Sequence, residues 1–371
     1  MQSAICLFVL AALGVASHKT LAQDIPAPVF EVSLQEPAAT RWTEPVTYVI
    51  ETYGFDDSFQ HALDYMFQIV PEKTLKKLEP LLEKLEAVFP AQYAEEIDGI
   101  HGVLASLGYE DRISKGELAV VNLIYELTVF CTSIVSRAPG GEIVHGRNLD
   151  YGITGLQNLT ATINFLDSSG SPLFSSSSFV GYVGVLTGMN SQFSVSVDQR
   201  EMVDQEDTTA AAGMVKNLVS AASGGSSVGM FLRDQLEQGK SFADTLEAVT
   251  KERMIAPVYI MMGGLGGDEA AVVTRDRVGE DEENGVWTID EDNYWRLETN
   301  YDHWIDVPSD DNRRDPVNAC MAAAGEGGVS VEAVRACLSE PPVLNKGTIY
   351  TTLMSAKEGY YDTIVRDPEL V

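Results

Sequence analysis

The stretch from Cys131 to Asp150 limits what this chain can fold into more than any other. Two extended, β-branched runs, Cys131 to Arg137 and Glu142 to Asn148, flank Ala138-Pro139-Gly140-Gly141, whose Pro and Gly are strong turn signals. An antiparallel hairpin with a four-residue loop pairs Arg137 with Glu142, so the returning strand reaches Cys131 at about Asn148. Arg147 and Asp150 thereby come back beside a cysteine that heads a strand. A thiol, a fixed cation and a carboxylate in one place can lower a thiol pKa and orient a base. The same spacing also suits a surface hairpin with an ordinary Arg–Asp pair.

Cysteine usage nominates the same residue. Met1 to Ala22 reads as a secretory signal: Ala4 to Ala16 is a short apolar core, and Thr20-Leu-Ala22 or Val15-Ala-Ser17 offers a small-residue cleavage site. The run is shorter than the roughly 20 apolar residues that span a bilayer, and no later stretch qualifies. A protein in a luminal or extracellular space, lysosomal or secreted, is therefore expected, and Asn158-Leu-Thr160 is a usable glycosylation sequon. Loss of the leader removes Cys6 and leaves Cys131, Cys320 and Cys337; an odd count in a secreted chain points to one free thiol. Asp315-Pro316 opens a helix ending near Gly325-Glu-Gly-Gly328, and Ser330 caps a second one to about Ser339. Cys320 and Cys337 lie within that helical hairpin and are placed to pair, which leaves Cys131 alone.

Ahead of the hairpin, residues 23–45 are irregular and Pro-rich, and the pattern from Asp57 to Phe130 is helical. Leu75, Leu78, Leu82 and Leu85 recur at helical spacing, with Pro80 kinking that helix or starting another. Ile97, Ile100, Leu104 and Leu107 recur likewise. Ser114-Lys-Gly-Glu117 is a capping box before an apolar run that leads into Cys131. After the hairpin, strands are expected at Leu159–Leu166, Leu173–Phe179, Tyr182–Leu186 and Gln192–Val197, then helices across residues 208–253. Strands resume at Val258–Met262, Ala270–Thr274, Val286–Ile289 and Tyr294–Glu298, and after the helical hairpin at Gly347–Met354 and Tyr360–Val365. The order strands, helices, strands, helices, strands suggests an α+β protein of two stacked antiparallel sheets flanked by helices. The chain carries 55 acidic and 25 basic residues, a net charge of −30, which argues against a nucleic-acid partner. Acid would protonate many of these carboxylates, so the balance fits an acidic compartment as well as a plain solvated surface.

Cys131-Thr-Ser-Ile-Val135 followed by His145-Gly-Arg-Asn-Leu-Asp-Tyr151 resembles the N-terminal-nucleophile amidohydrolases of the acid ceramidase and N-acylethanolamine-hydrolysing acid amidase family. The resemblance continues through residues 179–188, 273–277, 298–304 and 342–352, and covers the chain from about Arg41 to Arg366. It implies an αββα sandwich and a zymogen cut between Phe130 and Cys131, giving a helical subunit (23–130) and a catalytic subunit (131–371) that stay together. The α-amine freed on Cys131 would then serve as the base for its own thiol, with no cofactor. Asp150 would receive that amine, Arg147 would steady the thiolate, Asn300 would supply the oxyanion donor and Arg313, or Arg314 beside it, a second site arginine. Arg147 and Asp150 are three apart and cannot both face Cys131 from a regular strand, so a bulge or a strand end at Leu149 is expected. Family members tend to carry Glu where this chain has Gln199. The substrate implied is an N-acyl lipid at a membrane or micelle surface, with a lipid-transfer activator protein as a potential partner. Ceramide is favoured narrowly over an N-acylethanolamine; a catalytically silent lipid-binding protein of the same fold is the alternative of a different class.

Three other signals compete. Gly225-Ser-Ser227-Val-Gly229 fits the nucleophile-elbow pattern but reads as following a helix where a strand is required. His61, His101, His145 and His303 show no metal-ligand spacing, and His145 and His303 read as structural hydrogen-bonders. Gly263-Gly-Leu-Gly-Gly267 lacks the Lys-Ser/Thr and helix of a phosphate loop and reads as a tight turn.

Overall fold

The structure is a computed structural model that describes residues 25–69, 89–124, 130–153, 155–200 and 223–367, with short islands at 73, 76, 216 and 219–221. The expected leader and the Leu75–Leu85 helix with Pro80 lie outside the described residues, as does most of the helix expected before Ser223. The first segment supplies β1 (Ile25–Pro26) and β2 (Val29–Ser33), then α1 (Thr43–Tyr53), α2 (Phe59–Ile69), α3 (Ala91–Ser106) and α4 (Lys115–Ile124). The hairpin β3 (Phe130–Arg137) and β4 (Ile143–Asp150) follows, then β5 (Thr160–Leu166), β6 (Pro172–Phe179), β7 (Thr187–Asn190) and β8 (Ser194–Gln199). Helices α5 (Val228–Glu237) and α6 (Phe242–Lys251) lead to β9 (Val258–Gly263), β10 (Ala270–Asp276), β11 (Gly279–Glu280), β12 (Val286–Thr288) and β13 (Trp295–Glu298). The helical pair α7 (Arg314–Ala324) and α8 (Val331–Leu338) precedes β14 (Thr348–Ser355) and β15 (Tyr360–Val365).

These strands form two sheets. One has the order β1-β15-β14-β4-β3-β13 and is antiparallel throughout. The other has the order β11-β10-β9-β8-β7-β6-β5-β2, with β12 also on β10. Strands β3 and β4 of the first stack on β8 and β9 of the second, while α7 and α8 cover the outer face of one sheet and α5 and α6 that of the other. This is the expected αββα sandwich. It departs from the expectation in one strand pair: β2 runs parallel to β5. Residues 23–45, expected to be irregular, give an edge strand to each sheet; an edge position tolerates Pro26 and Pro28 because one side of the strand makes no ladder bonds.

Helical signals behave as their chemistry dictates. In the capping box, Ser114 N donates to Glu117 Oε2 (2.7 Å) and Glu117 N to Ser114 Oγ (3.1 Å). Tyr182–Leu186, expected as a strand, is irregular. Gly181 adopts φ +108°, and the segment's backbone bonds are made elsewhere: Val183 N donates to Asn122 Oδ1 (2.9 Å), and Val185 N to Gly229 O (2.9 Å). The side-chain amide of α4 therefore takes the place of a neighbouring strand. Ser227 of the nucleophile-elbow pattern is the N-cap of α5 and accepts from Met230 N, so it sits at a helix start and not at a strand-to-helix elbow. Gly263–Gly267 forms the turn between β9 and β10, with Leu265 N and Gly266 N donating to Glu269 Oε2 (2.9 and 2.8 Å).

A buried ionic node ties the first helices to the rest. Fully buried Glu96 on α3 accepts from Arg233 Nη1 and Nη2 (2.7 Å each), Trp42 Nε1 (2.8 Å) and Arg41 Nη1 (2.8 Å). Burial alone would raise its pKa, but Arg233, Trp42 and Arg41 more than offset that and hold the carboxyl below its ordinary range. On the opposite flank Cys320 of α7 and Cys337 of α8 form a disulfide across 17 residues, as expected. The loop-entropy argument gives it about 3 kcal/mol. Denaturant unfolding with and without reductant should show a loss of that order, and the Cys320→Ser, Cys337→Ser double variant should unfold at the same midpoint whether reductant is present or not.

Candidate active site

The hairpin register differs by one residue from the expected pairing. Arg137 pairs with Ile143 and Cys131 with Leu149, because Ala138 N donates to Glu142 O (2.9 Å) and Gly141, at φ +71°, closes the loop. A one-residue slip exchanges faces. Cys131, Ser133, His145 and Arg147 consequently point between the two sheets, whereas Asn148 and Asp150 share the other face of the sheet with Thr132. No bulge turns β4 to bring Arg147 and Asp150 together; β4 is regular to Asp150, and the irregularity lies on β14, between Thr348 and Tyr350.

Each half of Cys131 thus has its own partners. On the thiol side, Arg147 is fully buried, and its Nη2 lies 2.9 Å from Cys131 Sγ. Arg147 also donates to Val197 O (2.6 Å), Leu186 O (2.5 Å) and Thr187 Oγ1, and its Nε is 3.8 Å from Asp198 Oδ1. Burial pushes the thiol of Cys131 up, and Arg147 opposes that rise. On the main-chain side, Cys131 N donates to Asn300 Oδ1 (2.7 Å) and Arg313 Nη1 donates to Cys131 O (2.6 Å). Arg313 Nη2 also donates to Asn300 Oδ1 (2.9 Å), while Nη1 is 3.5 Å from Asp150 Oδ2. Asn345 Nδ2 donates to the same Asp150 oxygen (3.1 Å), and burial raises the Asp150 carboxyl while Arg313 pulls it down.

All five sequence-predicted site residues, Cys131, Arg147, Asp150, Asn300 and Arg313, therefore meet around one cysteine. Arg314 does not join them: it donates to the carbonyls of Tyr301, Asp302 and Ile305. Gln199 contributes through its main chain, its carbonyl accepting from Asn300 Nδ2 (2.9 Å), a bond that does not depend on the side chain at that position. Asn158 is half-buried, and its Nδ2 donates to Asp57 O (2.7 Å). His145 bridges Ser194 Oγ (3.0 Å) and Ser196 Oγ (2.9 Å) between the sheets; burial, then Arg147, push it down to about 3, so it stays neutral.

Besides Asn345 on Asp150, two more residues that the sequence did not single out for the site belong to it. Asp311 grips Arg313 at Nε and Nη2 (2.6 Å each) and fixes its plane. Asp198, fully buried, accepts from Ser133 Oγ (2.8 Å) beside Arg147; burial pushes it up to about 7 against the pull of Arg147 and Ser133. Its signal was the alternation Ser194, Ser196, Asp198, which resembles a solvent face but lines the layer between the sheets. A cavity of about 720 Å³, lined by Phe130, Asp150, Tyr151, Tyr301, Arg313 and Asn345 among others, opens beside the site. Phe130 is 48% exposed and Cys131 0%, so the peptide between them crosses from the cavity wall into the core.

Raised buried acids fix the sign of a pH effect. Asp150, Asp198 and Glu298 are all held above their ordinary values, by burial first. The folded state then binds protons that the unfolded state has already lost, so this contribution is present at low pH and is lost as pH rises through the folded values. For Asp198 the window runs from its ordinary 3.8 to about 7. In the Cys131→Ala background, thermal unfolding should show a higher Tm at pH 5 than at pH 8. Adding Asp198→Asn should narrow that gap; an unchanged gap would contradict the assignment.

The chain is similar to known proteins over most of its length. No family model matches the chain. N-acylethanolamine-hydrolyzing acid amidase of Rattus norvegicus is 35% identical over 92% of this chain and 89% of its own length. Acid ceramidase of Bos taurus is 29% identical over 92% of this chain and 87% of its own. Among solved structures, a Caenorhabditis elegans N-acylethanolamine-hydrolyzing acid amidase ortholog superposes with a TM-score of 0.54 at 28% identity, covering 61% of this chain and 93% of that one. The sandwich, its buried cysteine and these similarities place the chain in the acid ceramidase and N-acylethanolamine-hydrolyzing acid amidase family.

Proposed function

We propose that the chain is the zymogen of a lipid amidase that cuts itself between Phe130 and Cys131 and then hydrolyses the amide bond of N-acyl lipids. The observation that carries this reading is the convergence on Cys131 of a cation at its sulfur and of Asn300 and Arg313 at its main chain. In the first step Sγ attacks the Phe130 carbonyl, the acyl group passes from nitrogen to sulfur, and water releases it. Cys131 is left with a free thiol and a free α-amine, whose ordinary pKa is about 7.7–8. Asp150 receives the amine; its Oδ1 is buried and has no hydrogen-bond partner among the described residues. The amine takes the thiol proton, the thiolate held by Arg147 attacks the substrate carbonyl, and Asn300 stabilises the oxyanion. The same proton passes to the departing amine, and water hydrolyses the thioester.

The relatives' names supply the substrate class. Ceramide is the head group the sequence reading puts first. An N-acylethanolamine is the second reading, favoured by identities of 34–36% to the ethanolamide enzymes against 29–30% to the ceramidases. A lysosomal or secreted location, a leader before residue 23 and substrate presentation at a membrane or micelle surface, with or without an activator protein, belong to the same proposal. No described helix is long and apolar enough to cross a membrane.

Incubation near pH 4.5–5, where carboxylates titrate, should convert wild-type protein to two chains, the larger beginning at Cys131, while Cys131→Ala stays whole. Asp150→Asn should abolish turnover and leave circular dichroism unchanged. Initial rates on N-acyl substrates should climb with acyl length, by up to about fourfold per methylene at 0.8 kcal/mol each, until the site is filled. Equal rates on short and long chains would defeat the lipid reading, and paired assays on ceramide and an ethanolamide of one acyl length decide the head group.

A further inference from the structure

The layer between the sheets holds a line of polar side chains that the chemistry above does not use. Ser194, Ser196 and Asp198 alternate along the inner face of β8, and Ser133 and His145 meet them from β3 and β4. All five are buried. From one end of the line, Asp198 Oδ1 is 2.8 Å from Ser133 Oγ, which is 3.0 Å from Ser196 Oγ. His145 Nε2 is 2.9 Å from Ser196 Oγ and its Nδ1 is 3.0 Å from Ser194 Oγ, which lies 3.2 Å from Gly263 O at the other end.

Counting protons decides what Asp198 is. Each contact in the line needs one proton, and a hydroxyl has one to give. Ser133, Ser194 and Ser196 give one each and a neutral imidazole one more, while the Gly263 carbonyl gives none. An ionised Asp198 gives none either, so with Ser133 donating to it one contact of the line stays unmade. The missing proton sits on His145 or on Asp198, and burial beside Arg147 keeps His145 neutral. With the proton on Asp198 the line has no break: Asp198 gives to Ser133, Ser133 to Ser196, Ser196 to His145 Nε2, His145 Nδ1 to Ser194, and Ser194 to Gly263 O. Two further atoms agree. Asp198 Oδ2 is buried without a hydrogen-bond partner among the described residues, and so is Arg147 Nε, which stands off at 3.8 Å from Asp198 Oδ1. A buried carboxylate needs such a donor in contact, whereas a carboxylic acid does not. Around Asp198, Arg147 on β4 and Arg313 after β13 favour the charged form, and Glu298 on β13 opposes it. Tyr259 beside it on β9 and Tyr350 on β14 are both held above their ordinary values and stay neutral.

We propose that Asp198 is a positioning residue that works as a carboxylic acid: its proton is committed to the line through Ser133, Ser196, His145 and Ser194, and the charge of Arg147 is thereby left for the sulfur of Cys131. The inference rests on the reading of Arg147 as the cation that holds the thiolate. An ionised Asp198 would compete with that thiolate for Arg147, and its charge raises the thiol. Because the α-amine of Cys131 takes the thiol proton, the thiolate population follows the difference between the two pKa values, so a raised thiol lowers turnover at any given pH.

Two readouts need no substrate. In the Cys131→Ala chain at pH 6, where ordinary carboxyls are ionised, infrared spectra should contain the C=O stretch of a protonated carboxyl that is missing once Asp198→Asn is added. Nitrogen NMR of labelled histidine, with the His145 ring identified by its loss in His145→Gln, should show Nδ1 protonated and Nε2 bare. In the cut enzyme, kcat should fall about tenfold as pH rises through about 7, the effect of raising the thiol by one pKa unit. Asp198→Asn, whose amide also donates to Ser133 but cannot ionise, should lose that fall. A His145 ring protonated at Nε2, no infrared band that depends on Asp198, or an Asp198→Asn profile that falls as the wild type does, overturns the proposal. Should Asp198→Asn fail to fold, the His145 tautomer still decides. A chain with the expected band and tautomer that hydrolyses no N-acyl lipid at any pH counts against the proposed function and leaves the protonated Asp198 standing.

Discussion

A fully buried guanidinium between two sheets sets the terms for everything around it. Arg147 has no solvent to fall back on, so each of its donors needs an acceptor inside the protein. Leu186, Thr187 and Val197 of the facing sheet and its approaches supply oxygens, and Asp198 supplies a counter-charge. Those contacts fix how β3 and β4 sit on β7 and β8. A shift of one residue in either sheet would leave the cation without acceptors, at a cost of several kcal/mol. Cys131 Sγ is the remaining neighbour, and the cation that pins the sandwich together is also the one that can hold a thiolate. Stability and the proposed chemistry draw on one side chain, so the effect of substitution at Arg147 includes the loss of these packing contacts.

The division of labour around Cys131 follows from strand geometry. Alternation places the side chain on the inner face and the outer-face neighbours of β4 at the strand's flank. A residue used as both nucleophile and base needs a cation for sulfur and a carboxylate for nitrogen, and an Arg and an Asp on the same face would compete for each other. Putting Arg147 and Asp150 on opposite faces separates them. Arg313, itself clamped by Asp311, then serves as the charge that accompanies Asp150.

Much of this was legible in the residues. The cysteine, the returning Arg and Asp, the free thiol left by a Cys320–Cys337 pair and the order of sheets and helices all follow from local pattern. The register slip was not legible, because the loop is closed by a bond from Ala138 N to Glu142 O that composition does not announce. Tyr182–Leu186 misled for a related reason: its β-branched alternation is real, but its hydrogen bonds go to Asn122 and the start of α5, over long separations. Asp198 was hidden because Ser194, Ser196 and Asp198 look like a solvated face, and nothing in a strand's own sequence tells that a second sheet carrying Ser133, His145 and Arg147 will cover it.

Sequence separation also orders events. Arg147 is a hairpin's width from Cys131, but Asn300 is 169 residues away and Arg313 is 182. The groups that surround the Phe130–Cys131 bond can therefore assemble only after the chain's far end has folded onto β3, and contacts of that span form late. In the folded chain β1 pairs with β15, β2 with β5, and Glu96 with Arg233, so the first segment contributes an edge to each sheet and a buried ion pair to the core. The proposed cut would therefore sever a chain whose two parts are already one structure. The end that cut would create is Cys131, in a strand flanked by β4 and β13, with its nitrogen against Asn300 and its sulfur against Arg147.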